Sequence, residues 1–125
     1  MNYYNGTVFI VGGTRTGSNT GAVDNILISS DSLRTVSNTT ALPAAMWQHV
    51  SFVYAGRLHA VTGNNNAGAL ITAHYSFPIR SNGTVGPAST VTVPTALRRY
   101  CAAGVVFNNA MLIIGGVTGS PLNDI

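Results

Sequence analysis

Three blocks of this chain carry nearly the same residues. The segment Tyr4-Asn5-Gly6-Thr7-Val8-Phe9-Ile10-Val11-Gly12-Gly13 aligns without gaps with Tyr54 to Gly63, and both align with Phe107 to Gly116. The blocks begin 50 and 53 residues apart. A repeat of this length constrains the fold more than any other feature, because a unit so short must bury its apolar face against its neighbours. Each block holds a continuous apolar run, such as Met111-Leu112-Ile113-Ile114, which reads as a strand covered on both faces. The glycines that close the blocks allow a sharp turn and close backbone approach.

The flanks of the blocks repeat as well. His49 to Val53 precedes the second block and Ala102 to Val106 the third, each joined to it by a short Asn- or Gly-bearing turn. That is a hairpin signal. A small-polar loop follows each closing pair, and a third strand follows the loop, at Ile26 to Ile28 and at Ile71 to Phe77. Turns at Asp31-Ser32 and Asn82-Gly83 lead to a Thr/Val-rich fourth strand that ends at Leu42-Pro43 and again at Val93-Pro94. Helical periodicity is absent. The unit is four short antiparallel strands, and such units repeating in series predict an all-β fold of the β-propeller type.

Composition narrows the function classes. Charged residues are 7 % of the 125, and the net charge of +3 rests on six arginines with no lysine or glutamate. Only Arg98 and Arg99 adjoin, and no basic stripe with interleaved aromatics exists, so nucleic acid is not an expected partner. The single cysteine, Cys101, excludes an intrachain disulfide, and its apolar flank predicts a buried thiol. No apolar run approaches the ~20 residues of a membrane span. The Thr-, Asn- and Gly-rich, charge-poor character favours an extracellular or surface setting, and Asn5, Asn38 and Asn82 each begin a glycosylation sequon.

The closing pairs Gly12-Gly13 and Gly115-Gly116, with the link Leu42-Pro43-Ala44-Ala45-Met46-Trp47-Gln48-His49, resemble the kelch-repeat family. Val93-Pro94 and Arg98-Arg99 occupy the equivalent link in the next repeat. Met46 stands where that family's link has arginine, Thr62 replaces one glycine, Ala102 replaces the histidine, and the strand-four tryptophan is missing. The resemblance implies a kelch-like propeller segment of four-stranded antiparallel blades: an incomplete blade at 1–43, a complete one at 44–94 and an incomplete one at 95–125. Propellers close with about 4–8 blades. Closure therefore requires either self-association or blades supplied by a longer chain, and the ragged ends favour the longer chain.

Few residues suggest chemistry. His49, His59 and His74 lack the spacing of a local metal pair, and no metal site or cofactor is expected. His59 aligns with Phe9 and Leu112, which predicts a core position; His49 matches the kelch link, which implies a structural hydrogen bond between blades; His74 is expected to face water. Asp24, Asp31 and Asp124 form no evident carboxylate pair. Ser29 to Val36 is similar to the Asp-box of sialidase-type propellers, a turn-stabilising element. Topology points instead to one loop face, where the loop after strand two and the link after strand four emerge together. Arg15, Trp47, Asn64, Asn65, Arg98, Arg99 and Tyr100 fall there, and Arg, Trp and Tyr are enriched at recognition hot spots. The expected function is non-enzymatic recognition of a protein or glycan ligand. The alternatives are a fragment of a propeller enzyme, galactose-oxidase-like, sialate-processing or sialidase-type, and a structural surface or virion component.

Overall fold

The computed structural model describes residues 1–15, 18–19, 23–29, 32–37 and 41–125, with strand placement alone between 14 and 40. The first repeat folds as β1 (Asn2–Tyr4), β2 (Thr7–Val11), a small hairpin of β3 (Thr14–Arg15) and β4 (Ser18–Asn19), then β5 (Val23–Ser29) and β6 (Ser32–Ser37). The second gives β7 (Val50–Tyr54), β8 (Arg57–Val61), β9 (Ala73–Pro78) and β10 (Ser89–Thr92). A 3-10 turn at Thr95–Leu97 leads to the third, with β11 (Ala103–Phe107), β12 (Ala110–Ile114), β13 (Gly116–Val117) and β14 (Pro121–Leu122). The main sheets run β1-β2-β5-β6, β7-β8-β9-β10 and β11-β12, all antiparallel, and none closes on itself. No α-helix occurs among the described residues.

The structure adds strands to the sequence reading: the short pairs β3–β4 and β13–β14 lie where loops after the closing pairs are expected, and β1 precedes the first block. Asn2–Tyr4 pairs with β2, so the first sheet begins at its first strand rather than its second. Three residues are too few to carry a periodic signal. Asp31 of the expected turn, and Asn38 of the second sequon, lie outside the described residues.

Two backbone devices recur in every repeat. The hairpins turn at Asn5-Gly6, Ala55-Gly56 and Asn108-Asn109, with φ of 45 and 77°, 49 and 69°, and 46 and 58°. Two successive left-handed residues make the tight turn that matches strand twist. The closing pairs then make a left-handed corner, with φ of 56 and 103° at Gly12-Gly13, 63 and 96° at Thr62-Gly63, and 61 and 98° at Gly115-Gly116. In the second and third repeats the corner has no room for a side chain at its second position, whereas in the first a Cβ on Gly13 meets nothing within 4 Å and the close approach is at Gly12, 2.7 Å from the Met46 carbonyl oxygen. A Cβ on Gly63 would lie 2.7 Å from the Trp47 carbonyl oxygen, and one on Gly116 would lie 2.8 Å from that of Tyr100.

The link segments lock onto these corners. Gly13 N–H donates to the Met46 carbonyl at 2.9 Å and Gly63 N–H to the Arg99 carbonyl at 2.6 Å, so each link crosses the corner of the sheet before it. Trp47 and Asn64 then exchange backbone hydrogen bonds at 3.0 Å, as do Tyr100 and Val117 at 3.1 and 2.9 Å, which ties the link to the sheet after it. Gln48 and Cys101 both turn left-handed at the next position, with φ of 52 and 53°. That corner throws Cys101 outward, and its thiol is exposed rather than buried as its flank predicts.

The repeats stack face to face. Opposed residues in a ladder share a face, so Leu58 and Ala60 lie with Tyr75 and Phe77 on one side of the second sheet, while Val50, Phe52, His59, Val61 and His74 lie on the other. The first side packs on Phe9 and Val11 of the first sheet, with Leu42, Met46, Ile71 and Val85 completing the cluster. The second packs Val50, Phe52, Val61 and Val93 against Val106, Met111 and Ile113 of the third. Both faces of β8 are covered, which accounts for its unbroken apolar run, whereas β10 at the edge of the same sheet is exposed throughout. Fully buried Phe9, Leu58 and Phe77 each contribute roughly 1.5–3 kcal/mol through area removed from water.

Thr62 is the one non-glycine among the six corner residues. It is β-branched at positive φ, fully buried, and its hydroxyl has no hydrogen-bond partner among the described residues. Thr62→Gly is expected to raise stability by about 1 kcal/mol, because relief of the left-handed strain and of the orphan hydroxyl outweighs one lost methyl contact. Gly63→Ala should lower stability by about 2–4 kcal/mol, against about 1 for Gly56→Ala, where a Cβ meets nothing within 4 Å. Urea unfolding of the three variants checks the order.

Candidate functional site

A cleft of about 410 Å³ opens where the loop after β8, the link before β11 and the segment after β12 converge. Its walls are Leu70, Thr95, Ala96, Arg98, Thr118, Leu122 and Asp124. The link's 3-10 turn forms one side, with Leu97 N–H donating to Pro94 and Arg98 N–H to Thr95. Pro94 starts the turn with its fixed φ of −52° and no amide hydrogen to leave unpaired.

The arginines expected on this face divide into two roles. Arg98 is half-buried, and its Nε donates to the Val93 carbonyl at 3.1 Å. That bond aims the side chain into the cleft wall, and its two terminal nitrogens make no hydrogen bond among the described residues. Arg99 is 1 % exposed, and both of its terminal nitrogens are engaged, while its buried Nε has no hydrogen-bond partner among the described residues. It donates to Asp124 Oδ1 at 2.6 Å and Oδ2 at 3.3 Å, to the Gly115 carbonyl at 3.0 Å and to the Ala96 carbonyl at 3.1 Å. The guanidinium fork therefore clamps the segment after β12 onto the link. The hydrogen bond from Arg99 holds the Asp124 carboxyl below its ordinary pKa, and half of that side chain still faces the cleft mouth.

The other expected residues hold the loop face in shape. Asn65 Oδ1 accepts from the amides of Ala67 and Ala69, both at 2.9 Å, which closes the loop as an Asx turn. Asn64 is buried and donates weakly to Gln48 Oε1 at 3.4 Å. Trp47 and Tyr100 are half-buried and lie in the link, where their backbones bridge to Asn64 and Val117. Arg15 lies in β3 opposite Ser18. The structure thus lines the cleft with Arg98, buries Arg99 behind it, and sets Trp47, Asn64, Asn65 and Tyr100 in the neighbouring link and loop, while Arg15 lies in the hairpin of the first repeat and is not among the cleft's walls. Asp124, Thr95 and Thr118 line the cleft without having been singled out by sequence. Asp124 lies 25 residues from Arg99, and no local pattern links the two.

The histidines lie in the sheet interfaces. His49 packs beside Gly12 and Gly63 and hydrogen-bonds the Val11 carbonyl, joining the first two sheets. His59 is buried, and its Nδ1 lies 2.8 Å from Nε2 of His74, while its Nε2 lies 3.3 Å from the Tyr54 carbonyl. His74 therefore faces His59 rather than water. Among the described residues no group of three metal-binding side chains stands together, and no helix is long and apolar enough to cross a membrane. No protein-family model and no curated protein matches the chain.

Burial lowers the pKa of all three imidazoles, that of His49 to about 4. Between pH 6.5 and about 4 the unfolded chain binds a proton at His49 that the folded chain refuses. Stability is therefore complete above pH 6.5 and falls as the pH drops to about 4, by roughly 3 kcal/mol for this group. Urea midpoints across that range should show the loss, and His49→Gln should flatten it. A second contrast separates the arginines. Arg99→Ala is expected to cost about 2–4 kcal/mol, because it strands two carbonyls and empties a buried site, whereas Arg98→Ala stays within about 0.5 kcal/mol.

Proposed function

We propose that this chain is a segment of a kelch-like β-propeller and a non-enzymatic binding module, taking a protein or glycan ligand at the cleft on its loop face. The observation that carries the reading is the pairing of functions at Arg98 and Asp124. One presents guanidinium donors that no described residue uses, and the other presents a carboxylate that is ionised at neutral pH and half exposed. A donor fork beside an acceptor pair, framed by Thr95, Thr118 and the apolar Leu70 and Leu122, suits a ligand rich in hydroxyl or carbonyl groups.

The propeller part of the reading is supported by the repeated corner. The same φ pair, the same link hydrogen bond and the same face-to-face packing recur from one repeat to the next. A constant relation between successive four-stranded sheets is what stacks blades around an axis. The kelch-like link contributes here through backbone, since Met46 and Arg99 present their carbonyls to the preceding corner.

Titration of the chain with a panel of neutral and acidic oligosaccharides and of acidic peptides, followed by amide chemical shifts, tests the site. Shifts should concentrate at Leu70, Thr95 to Arg98 and Thr118 to Asp124. Arg98→Ala should weaken the strongest binder about tenfold while leaving the urea midpoint in place. Shifts confined to other surfaces, or unchanged affinity in that variant, would remove the cleft as the site.

A further inference from the structure

We infer that the cleft between the first two sheets, at the end of the strands away from the loop face, is a second binding site, which takes a singly charged oxyanion group, a carboxylate or a sulfate ester, on a small polar molecule. In antiparallel sheets with their strands in chain order, the first and third connections emerge at one end and the second at the other. The β1–β2 turn of the first sheet there meets the connection between β9 and β10 of the second. The cleft between them holds about 150 Å³. Tyr4, Asn5 and Thr7 form one wall, and Arg80 and Ser81 form the other. Tyr4 and Thr7 are opposed in the β1–β2 ladder, on the face whose Phe9 packs toward the second sheet.

The second wall is held from within. Residues 30–31 alone join β5 to β6, whereas residues 79–88 join β9 to β10 and contain a tight turn of their own. Arg80 N–H donates to the Thr84 carbonyl at 2.8 Å, and Gly83 N–H donates to the Arg80 carbonyl at 3.0 Å. Asn82 Oδ1 accepts from the Thr84 amide at 3.1 Å and from its hydroxyl at 2.7 Å. Ile79 and the fully buried Val85 pair at the base of the turn. On this frame the Arg80 guanidinium is tied by one nitrogen. Nη1 donates to the Val85 carbonyl at 3.0 Å and, more weakly, to Thr84 Oγ1 at 3.4 Å. Nε and Nη2 make no hydrogen bond among the described residues. Their N–H bonds lie along one edge of the planar group, the arrangement that receives two oxygens of one anion. With Nη1 already fixed, the side chain gives up less rotamer freedom on binding.

Charge and size select the occupant. Arg80 is the one charged side chain among the described lining, and no carboxylate opposes it. One guanidinium matches one negative charge. The hydroxyls of Tyr4, Thr7 and Ser81 and the Asn5 amide add neutral donors. A doubly charged phosphate would leave one charge unmatched in such a lining. The volume falls below the roughly 300–1,000 Å³ of pockets for drug-sized ligands, so it admits the anionic group and its near neighbours only. The donors are particular to this pair of sheets, since Asn5 and Thr7 have Ala55 and Arg57 as counterparts in the second block. The site shares no lining residue with the loop-face cleft and stands apart from the ligand proposed there.

Titration of the full chain with four matched probes tests the inference: glucuronate, glucose 6-sulfate, glucose 6-phosphate and glucose, followed by amide and arginine Nε–H chemical shifts. Glucuronate or glucose 6-sulfate should give saturable shifts at Asn5 to Thr7, at Arg80 to Gly83 and at the Arg80 Nε–H, and the tighter of the two identifies the group. Glucose 6-phosphate at pH 7.5 should bind more weakly, and glucose should leave these residues unshifted. Arg80→Lys keeps the charge but not the edge and should weaken binding about tenfold. Asn5→Gly keeps the left-handed turn and should weaken it about threefold with the urea midpoint unchanged. If Arg80→Lys lowers the urea midpoint as well, the Asn5→Gly result decides. Absence of saturable shifts at these residues with both singly charged probes overturns the inference. So does equal binding of glucose, tighter binding of the phosphate, or full affinity in Asn5→Gly and in a stably folded Arg80→Lys.

Discussion

Close backbone contact at the left-handed corner governs the rest of this structure. The corner lets the link lie directly on main chain, with the Trp47 and Tyr100 carbonyl oxygens where a side chain would otherwise be. From that contact follow the hydrogen bonds from Gly13 to Met46 and from Gly63 to Arg99, which fix how each link leaves one sheet for the next. Sheet spacing follows in turn, and with it the interdigitation of Phe9 with Leu58 and of Val61 with Met111. The apolar side chains supply most of the free energy, but they are interchangeable in kind. The corner is not.

A consequence is a division of labour between repeated and unrepeated residues. Arg99 shows it most clearly. Its counterpart in the first link is Met46, a fully buried thioether inside the core between the first two sheets. The guanidinium occupies the same kind of place, and it is tolerated there because four oxygen atoms receive it. Its neighbour Arg98, one residue earlier, falls outside that frame and lines the cleft. Adjacent, chemically identical side chains thus differ in fate because the link passes over the corner at one and not at the other.

Much of the fold was legible because strands announce themselves by runs and turns. The pairing of β7 with β8 and of β11 with β12 follows directly from the apolar segments and the turns between them. Less was legible where function would lie. Asn65 looked like a ligand-reading amide, yet its oxygen is held by two amides of its own loop, a use that composition does not distinguish from recognition. Cys101 looked buried because its neighbours are apolar, but exposure is set by a left-handed turn at that residue. Contacts such as Arg99 with Asp124 join distant segments and leave no local trace.

The histidine pair between the second and third sheets carries a constraint of its own. The Tyr54 carbonyl can only accept, so His59 Nε2 must bear the hydrogen and Nδ1 must be the bare nitrogen. The short contact to His74 then has one possible polarity, with His74 Nε2 as donor. This leaves His74 Nδ1 as the one bare nitrogen of the two rings that accepts no hydrogen bond within the pair. The pair consequently has the capacity for one proton, not two, since a second would set N–H against N–H across 2.8 Å. Two imidazoles that would titrate independently in a flexible chain become a single directed relay ending at one atom.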